Sequence, residues 1–227
     1  MAPTAMFEAE ATRLYDIVLR AGSPSPLLNL GSSTLGFRTA VKPHIENRLF
    51  APLRAAGVEI VHCDLKDGEG VDISGDILDP VVRARLVAMR FRCVLAANLL
   101  EHVRDRAAII EACEDIAGPG GLILATAPSS APYHADPIDT LFRPTAVALA
   151  ASFPRSRPIL AEEVVGPTYA ERIRTEKSHL WKEIVGTLLF TLVAPARPKS
   201  ARARWSRWRW YGRPQRVALA LMEVSSS

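Results

Sequence analysis

Apolar residues in the N-terminal half of the chain follow two alternating patterns. Short continuous apolar runs, typical of buried parallel strands, occupy residues 27–30, 58–63, 71–75, 91–97 and 122–126. Between these runs, apolar residues recur at helical spacing over 7–18, 43–56, 80–89 and 105–117. This alternation predicts an α/β fold, a three-layer Rossmann-like sandwich with helices on both faces of a mostly parallel sheet.

Five loops follow the predicted strands at the edge where such sheets bind ligands. These loops begin at Gly31, Asp64, Asp76, Asn98 and Ala127. The carboxyl ends of parallel strands meet at one edge of the sheet, and ligands bind in the crevice outside that edge. The chemistry of this protein is therefore expected in these five loops.

Two segments carry the most distinctive pattern. Val94–Asp105 has the sequence VLAANLLEHVRD, a strand followed by a Leu-Glu-His triplet. Gly118–Ala125 has the sequence GPGGLILA, a turn that ends one helix and leads into an apolar strand. Together with the loop at Gly31, they resemble the class I S-adenosylmethionine-dependent methyltransferases over residues 27–149. The resemblance implies a seven-stranded sheet with an antiparallel last strand, and S-adenosyl-L-methionine as the cofactor.

The loop after the first strand departs from the glycine-rich pattern of that family. Leu27–Thr34 has the sequence LLNLGSST, so Asn29 stands where the family has an acid and Gly31 keeps the first glycine. Ser33 replaces the second glycine, and the third is also missing. The resemblance places Asn29, Gly31, Ser32 and Ser33 in the cofactor site, where backbone N–H groups would face the cofactor's carboxylate. The alternative is an ordinary turn between a strand and a helix.

The resemblance also assigns the adenosine end of the cofactor. It implies that Asp64 binds both ribose hydroxyls, that Asp76 accepts from the adenine amino group, and that Ile77 packs on the ring. Asn98 would lie where the fourth strand meets the methyl end. The acids of 67–72 leave the identity of the ribose ligand open, and a solvated turn acid is the alternative for Asp76.

His134 and His102 are the candidate catalytic residues. His134 lies in a polar loop after the fifth strand, with Asp136, Asp139 and Arg143 as secondary candidates for substrate contacts. An alcohol or phenol acceptor needs a base, and an amine acceptor has to be neutral. A turn-rich connection is the alternative for this loop, and a structural role is the alternative for His102. No pair of histidines has ligand spacing such as HxxxH, so no metal site is predicted.

The small positive charge of the chain is concentrated near its end. Lys and Arg number 28 against 24 Asp and Glu, which gives a net charge of +4. Between Arg197 and Arg216 there are eight basic residues and no acid, so the other 207 residues carry a net −4. The predicted cofactor-binding core therefore needs no polyanionic partner to explain its charge.

The basic stretch interleaves arginine with three tryptophans and follows an apolar segment at 180–193. Three interpretations of 180–216 stay open. The segment is a connection before a closing strand, a peripheral membrane contact, or a binding surface for nucleic-acid phosphates and bases. Nucleic acid is disfavoured, because no Asn-Pro-Pro-aromatic or Asp-Pro-Pro-aromatic motif follows the fourth strand. The longest apolar run is shorter than the ~20 residues that span a bilayer.

Cysteine usage and the N-terminal residues indicate a cytoplasmic protein, with peripheral contact to the inner face of the membrane left open. Cys63, Cys93 and Cys113 are widely spaced and form no CxxC pair. Buried, reduced cysteines of this kind are typical of a reducing compartment. The first 20 residues lack the basic start and apolar run of a signal peptide.

Residues 1–227 are expected to form one methyltransferase-like domain. Its parts are an N-terminal helix within 1–26, the cofactor-binding core over 27–149, the apolar helix and basic insertion over 178–216, and a closing strand over 217–224. The leading hypothesis is methyl transfer to a small-molecule, glycan or lipid-linked acceptor. The alternatives are a non-catalytic binding or scaffold protein with a decayed cofactor site, and a nucleic-acid methyltransferase. The acceptor and the oligomeric state stay open.

Overall fold

The structure, a computed structural model, describes residues 6–133, 138–175, 180–192, 205 and 208–226. Seven strands form one sheet in the order β3-β2-β1-β4-β5-β7-β6. The strands are β1 (Leu27–Leu30), β2 (Ile60–Asp64), β3 (Ile73–Ser74), β4 (Cys93–Ala97), β5 (Leu122–Ser130), β6 (Ser156–Thr168) and β7 (Pro214–Val224). The first five pair in parallel, and β7 is antiparallel to both of its neighbours. The predicted Rossmann-like, mostly parallel sheet with an antiparallel last strand is confirmed.

Eight α-helices connect these strands within the described residues. They are α1 (Glu8–Arg20), α2 (Pro43–Ile45), α3 (Ala51–Ala55), α4 (Pro80–Ala88), α5 (Arg106–Ala117), α6 (Ala146–Ala151), α7 (Tyr169–Thr175) and α8 (Leu180–Leu192). The single helix predicted over 43–56 consists of α2 and α3 joined by a π-helical turn at Glu46–Phe50, and a further π-helical turn at Phe37–Val41 precedes it. A short 3₁₀ turn, Leu100–His102, follows β4.

Two apolar clusters cover the two faces of the sheet, which gives the three layers. On one face α1 buries Leu14 and Ile17 against strand residues such as Leu95. On the other face Phe91 and Ile109 belong to the cluster that α4, α5 and α6 cover. Burying one such large side chain contributes about 1.5–3 kcal/mol, so each layer is held mainly by these contacts.

Side-chain caps fix where the helices after β3 and β4 begin. Asp79 Oδ1 accepts from the amides of Val81 and Val82 at 2.7 and 3.3 Å, at the start of α4. Asp105 Oδ1 accepts from the Ala108 amide at 3.0 Å, at the start of α5. Such caps each stabilise a helix by roughly 0.5–2 kcal/mol. They therefore help to fix Asp79 and Asp105 as the residues at which the preceding loops end.

β6 was absent from the strands predicted from the apolar runs. It is an edge strand that pairs with β7 alone, and its residues alternate between exposed and half-buried positions. Pro158 and the paired acids Glu162 and Glu163 obscure its pattern in the sequence, because edge strands tolerate proline and charge. β7 confirms the closing strand predicted over 217–224 and begins three residues earlier.

The chain leaves the sheet between β6 and β7, where α7, α8 and the basic stretch lie. Thr168, the last residue of β6, is paired with Pro214, the first residue of β7. No helix within the described residues is long and apolar enough to cross a membrane.

Candidate active site

Strand register brings the predicted site residues to one edge of the sheet. Leu30 of β1 is level with Cys63 of β2 and with Ala96 of β4. The residues that follow these strands, Gly31 and Asp64, therefore lie side by side, with Asn98 two positions beyond Ala96. Asp64 is in turn level with Ser74 of β3, two residues before Asp76. Parallel pairing alone thus gathers the four loops.

The turn after β1 requires glycine at its first position. Gly31 has φ +68°, and a Cβ atom built there would lie 3.2 Å from Leu99 Cδ1. Ser33 takes up a similar left-handed conformation, with φ +53°. Such backbone favours glycine, and at Ser33 a serine adopts it.

The amides of this turn already donate within the protein. Gly31 N and Ser32 N both donate to Cys63 O, at 2.9 and 3.1 Å. Ser33 N donates to Asp64 Oδ2 at 2.7 Å. The turn thus stays level with the end of β2 and continues its hydrogen bonding. The predicted role of these N–H groups toward the carboxylate of a cofactor stays a prediction.

A buried arginine, which the sequence analysis missed, holds the same turn from below. Arg38 is 2% exposed, and its guanidinium donates to the carbonyl oxygens of Ser32, Ser33 and Gly70 at 3.0, 2.6 and 2.8 Å. Burial lowers the pKa of this guanidinium from its ordinary value. Nothing in the sequence distinguishes it from an exposed helix arginine, because its burial depends on the Gly68–Asp72 loop folding over it.

The two predicted adenosine ligands are differently placed. Asp64 is half-buried and accepts from Ser33 N and, through Oδ1, from Lys66 N at 2.9 Å. Asp76 is exposed and accepts from Leu78 N at 2.9 Å. Ile77 is buried in the core between the sheet and α4, so its predicted contact with an adenine ring stays a prediction.

Asn29 lies inside the sheet beneath the turn. Its side chain is buried, and Nδ2 lies 3.0 Å from His62 Nδ1. Burial, together with the nearby Arg38 cation, lowers the pKa of His62 to about 4. A neutral imidazole nitrogen accepts the amide proton, so Asn29 orients His62, and its predicted role toward a cofactor stays a prediction.

A hydrogen-bonded cluster lies directly under the end of β4. Asn98 has φ +50°, and its Nδ2 donates to Glu10 Oε1 at 2.8 Å. Thr126 Oγ1 donates to the same oxygen at 2.7 Å. Glu10 is completely buried, and desolvation raises its pKa to about 7 although these hydrogen bonds oppose the shift. The burial of Glu10 could not be predicted from the sequence, because an acid in the first turn of an amphipathic helix is ordinarily solvated.

A second buried carboxyl follows in the 3₁₀ turn. Both oxygens of Glu101 are buried and lack a hydrogen-bond partner among the described residues. Desolvation raises the pKa of Glu101 to about 8, and the nearby Glu10 charge raises it further. Two buried carboxyl groups thus lie close to the end of β4.

His102 is oriented by its contact with the loop after β5. His102 Nδ1 lies 2.6 Å from Ile138 O, and Nε2 lies 3.8 Å from Glu101 Oε1. A carbonyl oxygen can only accept, so Nδ1 carries the proton in the neutral ring and Nε2 is the basic nitrogen. His134 and Asp136, also named from the sequence, lie outside the described residues. Asp139 is paired with Arg143 at 2.6 Å.

A groove of about 1110 Å³ lies on the other side of the N-terminal turns of α1. It is lined by residues of α1, by Val41–His44 and by Glu162–Pro167 of β6. The inward side of the same helix carries Glu10. The N-terminal turns of α1 therefore separate the groove from Glu10, and Gly31 and Asp64 do not line the groove.

Comparisons of sequence find no relative for this chain. No protein-family profile matches it, and no curated protein matches it. The described part of the chain also shows no group of three or more His, Cys, Asp or Glu residues arranged to hold a metal ion.

Comparison of structures identifies the fold. A putative sarcosine dimethylglycine methyltransferase from Galdieria sulphuraria matches with a TM-score of 0.56 and 11% identity, over 96% of this chain and 85% of that chain. Coclaurine N-methyltransferase, bound to N-methylheliamine and SAH, matches with a TM-score of 0.52 and 11% identity, over 98% and 75%. The chain has the fold of the class I S-adenosylmethionine-dependent methyltransferases.

The class I methyltransferase fold does not by itself set the reaction. The [4+2]-cyclase SpnF matches with a TM-score of 0.53 and 15% identity, over 100% of this chain and 85% of that chain. A protein named for a cyclisation thus has the same fold as proteins named for methyl transfer. The activity of this chain therefore has to be argued from its own residues.

Proposed function

We propose that this protein is an S-adenosylmethionine-dependent methyltransferase that acts on a small-molecule, glycan or lipid-linked acceptor. One observation carries the proposal: Asp64 ends β2, Asp76 and Asn98 come just after β3 and β4, and all three lie at the same edge of the sheet as the left-handed turn at Gly31. The shared fold supports the same conclusion. The three cysteines are free and buried, which supports a cytoplasmic location.

The residues present fit the adenosine half of this cofactor. Asp64 accepts one amide on each carboxylate oxygen, and each oxygen keeps capacity for a ribose hydroxyl. Asp76 is exposed and keeps an oxygen for an amino group. The acidic edge formed by Asp64 and Asp76 also suits a ligand that carries a net positive charge.

When bound, S-adenosylmethionine supplies an electrophilic methyl group on a sulfonium, which a nucleophile displaces in line. The chain's own contribution is to align the acceptor, since alignment lowers such barriers by up to ~7–11 kcal/mol. We assign proton removal from an O–H or ammonium acceptor to His102 Nε2, because Nδ1 is fixed on Ile138 O. The side chain of His102 is 22% exposed and so within reach of an acceptor.

Calorimetric titration with S-adenosylmethionine tests the cofactor. Wild-type protein is expected to bind, and Asp76→Ala to weaken binding about tenfold or more through loss of a charge-assisted hydrogen bond. Glu59→Ala is the matched control, because Glu59 is also an exposed acid but precedes β2, at the opposite edge of the sheet. Failure of the wild type to bind at millimolar cofactor would reject the proposal.

A binding or scaffold protein on the same fold is the second candidate. The observation that favours it is the turn after β1, where serine stands at the second glycine position and the amides of Gly31, Ser32 and Ser33 already donate internally. Calorimetry decides whether the cofactor site has decayed. If the cofactor binds but no methyl-transfer product forms with any acceptor class tested, the protein is a non-catalytic binder.

A further inference from the structure

Helix α8 turns its apolar side toward solvent. Its exposed large apolar residues recur at helical spacing: Trp181, Ile184, Val185, Leu188 and Leu189. Trp181 is 60% exposed and Leu189 58%, whereas Thr187 on the opposite side is 3% exposed. Helices of globular proteins normally bury their apolar stripe, so the exposed stripe of α8 is apolar surface that the described part of the chain does not cover.

Specific contacts hold α8 in this orientation. Trp208 Nε1 donates to Thr187 Oγ1 at 2.9 Å, which ties the polar side of the helix to the protein. The Trp208 ring meets the buried Tyr169 edge to face at 5.7 Å and stacks on Tyr211 at 6.0 Å. Trp208 therefore links α8 to the two tyrosines at either end of the excursion between β6 and β7, and these contacts fix the orientation of the helix.

The same excursion is strongly basic, while the rest of the chain is acidic. Residues 180–216 hold nine basic residues and one acid, and the rest of the chain holds 19 basic and 23 acidic residues. Among the described residues, Lys182, Arg209 and Arg213 are exposed, and Lys182 Nζ lies 5.7 Å from the centre of the Trp181 ring. Trp205 is 49% exposed. Exposed tryptophan and arginine around an apolar helix face suit the headgroup region of a lipid bilayer.

We propose that α8, together with the exposed Arg209 and Arg213 of the same excursion, docks this protein on an anionic membrane surface. The apolar stripe would enter the boundary between headgroups and acyl chains, and the arginines would bind anionic headgroups. The 13 residues of α8 span only ~20 Å at 1.5 Å per residue, so the helix lies in the plane of the interface.

Charge favours a bilayer over a second copy of the chain. A two-fold interface through α8 would bring two strongly basic excursions together, and like charges oppose such association. A nucleic acid would match the charge, but the exposed stripe is mostly aliphatic and offers few rings on which bases stack. An anionic bilayer matches both the charge and the aliphatic surface.

The proposed docking surface lies at the edge of the sheet that carries the candidate active site. The excursion leaves β6 at Thr168 and enters β7 at Pro214, and β6 runs in the same direction as β5. An acceptor in the membrane would therefore approach the edge where β1, β2 and β4 end. Vesicle binding is measured without cofactor, so a failure of the docking proposal is distinguishable from a failure of the proposed methyl transfer.

Flotation of the full-length protein with lipid vesicles tests the proposal. Wild-type protein is expected to float with vesicles of phosphatidylcholine and phosphatidylglycerol, less with phosphatidylcholine alone, and less as salt concentration rises. Leu188→Gln/Leu189→Gln is expected to weaken binding about tenfold or more through loss of apolar burial. Val81→Gln/Val147→Gln is the matched control, because these apolar side chains on α4 and α6 are more exposed than the two leucines.

Three results would overturn the proposal. The first is wild-type protein that stays unbound to anionic vesicles at low salt. The second is vesicle binding by the double-leucine variant equal to that of the wild type. Such binding would depend on charge alone, and the protein would then bind nucleic acid or any other polyanion in the same way. The third is a wild-type dimer that the leucine substitutions dissociate, without vesicle binding. Unchanged thermal unfolding of each variant shows that it is folded, and a blue shift of wild-type tryptophan emission on anionic vesicles supports docking.

Discussion

At the scale of single residues, two positions of the turn after β1 have the same backbone conformation but different side chains. Gly31 and Ser33 both have positive φ, at 68° and 53°. Gly31 also has little space, because a Cβ would meet Leu99 at 3.2 Å. Glycine is therefore favoured at position 31 both by its positive φ and by the nearby Leu99 side chain. At position 33 a serine adopts the positive φ, which strains the backbone locally.

This difference predicts the effect of Gly31→Ala. An alanine at φ +68° costs about 1–2 kcal/mol of folding stability, and the contact with Leu99 would also displace the loop that follows Asn98. Weaker S-adenosylmethionine binding is expected to accompany the loss of stability. Denaturant unfolding and calorimetry measure the two effects.

Gly36→Ala is the matched control for that substitution. Gly36 has φ −58° and ψ −35°, and a Cβ there meets nothing within 4 Å. Alanine at such a position is expected to be neutral or to stabilise by about 0.4–1 kcal/mol. Equal destabilisation by both alanines would show that the turn at Gly31 has no special requirement.

The sequence predicted which residues lie at the site better than what they contact. Gly31, Asp64 and Asn98 follow apolar runs, so parallel pairing gathers them without further information. Glu10 and Arg38 escaped prediction because their burial depends on elements far apart in the chain. Local patterns treat both as surface charges.

At the scale of elements, one side chain joins two loops. Arg38 sits on the first π-helical turn after the β1 loop, and it donates to that loop and to the β2–β3 loop. The two loops also share a backbone hydrogen bond, from Leu35 N to Glu69 O at 2.8 Å. The β1 loop and the β2–β3 loop are therefore expected to open together.

Loss of this arginine is predicted to loosen both loops together. Arg38→Met removes three charge-assisted donors from buried carbonyl groups, and breaking such contacts costs on the order of 3–5 kcal/mol. Arg38→Lys keeps the charge but not the planar fork, so a smaller loss, about half as large, is expected. Hydrogen exchange at Ser33 and Gly70 amides should rise in both variants.

Arg48→Met provides the comparison for Arg38. Arg48 pairs with Glu8 at 2.8 Å, and both side chains are about 60% exposed (58% and 60%). An exposed pair of this kind contributes roughly 0–1 kcal/mol. If Arg38→Met were no more destabilising than Arg48→Met, Arg38 would not hold the loops.

Two elements show the limits of pattern-based prediction. β6 is an edge strand whose charged and proline residues hide the strand pattern, and only its pairing with β7 reveals it. The apolar segment at 180–193 contains α8, and the structure exposes an apolar stripe on this helix. Hydrophobic periodicity locates a helix but does not say which side the protein uses.

At the scale of the whole molecule, buried titratable groups link stability to pH. Burial raises the pKa of Glu10 to about 7 and of Glu101 to about 8, so the fold favours their neutral forms. Their contribution is complete below the unfolded pKa of 4.5 and is lost as pH rises through the folded values. Burial lowers the pKa of His62 to about 4, so its contribution is present above its unfolded pKa of 6.5 and is lost below it.

Between pH 6.5 and 8 the two carboxyl groups outweigh His62, because His62 is neutral in the folded state and is at most half charged in the unfolded state over this interval. The free energy of unfolding is predicted to fall across this interval, by about 1.4 kcal/mol per pH unit for each carboxyl still titrating. Glu101→Gln removes the charge that the fold disfavours, so its stability should fall less steeply between pH 7 and 8. Glu114→Gln should keep the wild-type slope and be less stable throughout, since Glu114 is buried with Arg155 at 3.1 Å. Denaturant unfolding at several pH values measures the slopes, and wild-type stability that rises from pH 6.5 to 8 would contradict the assignment.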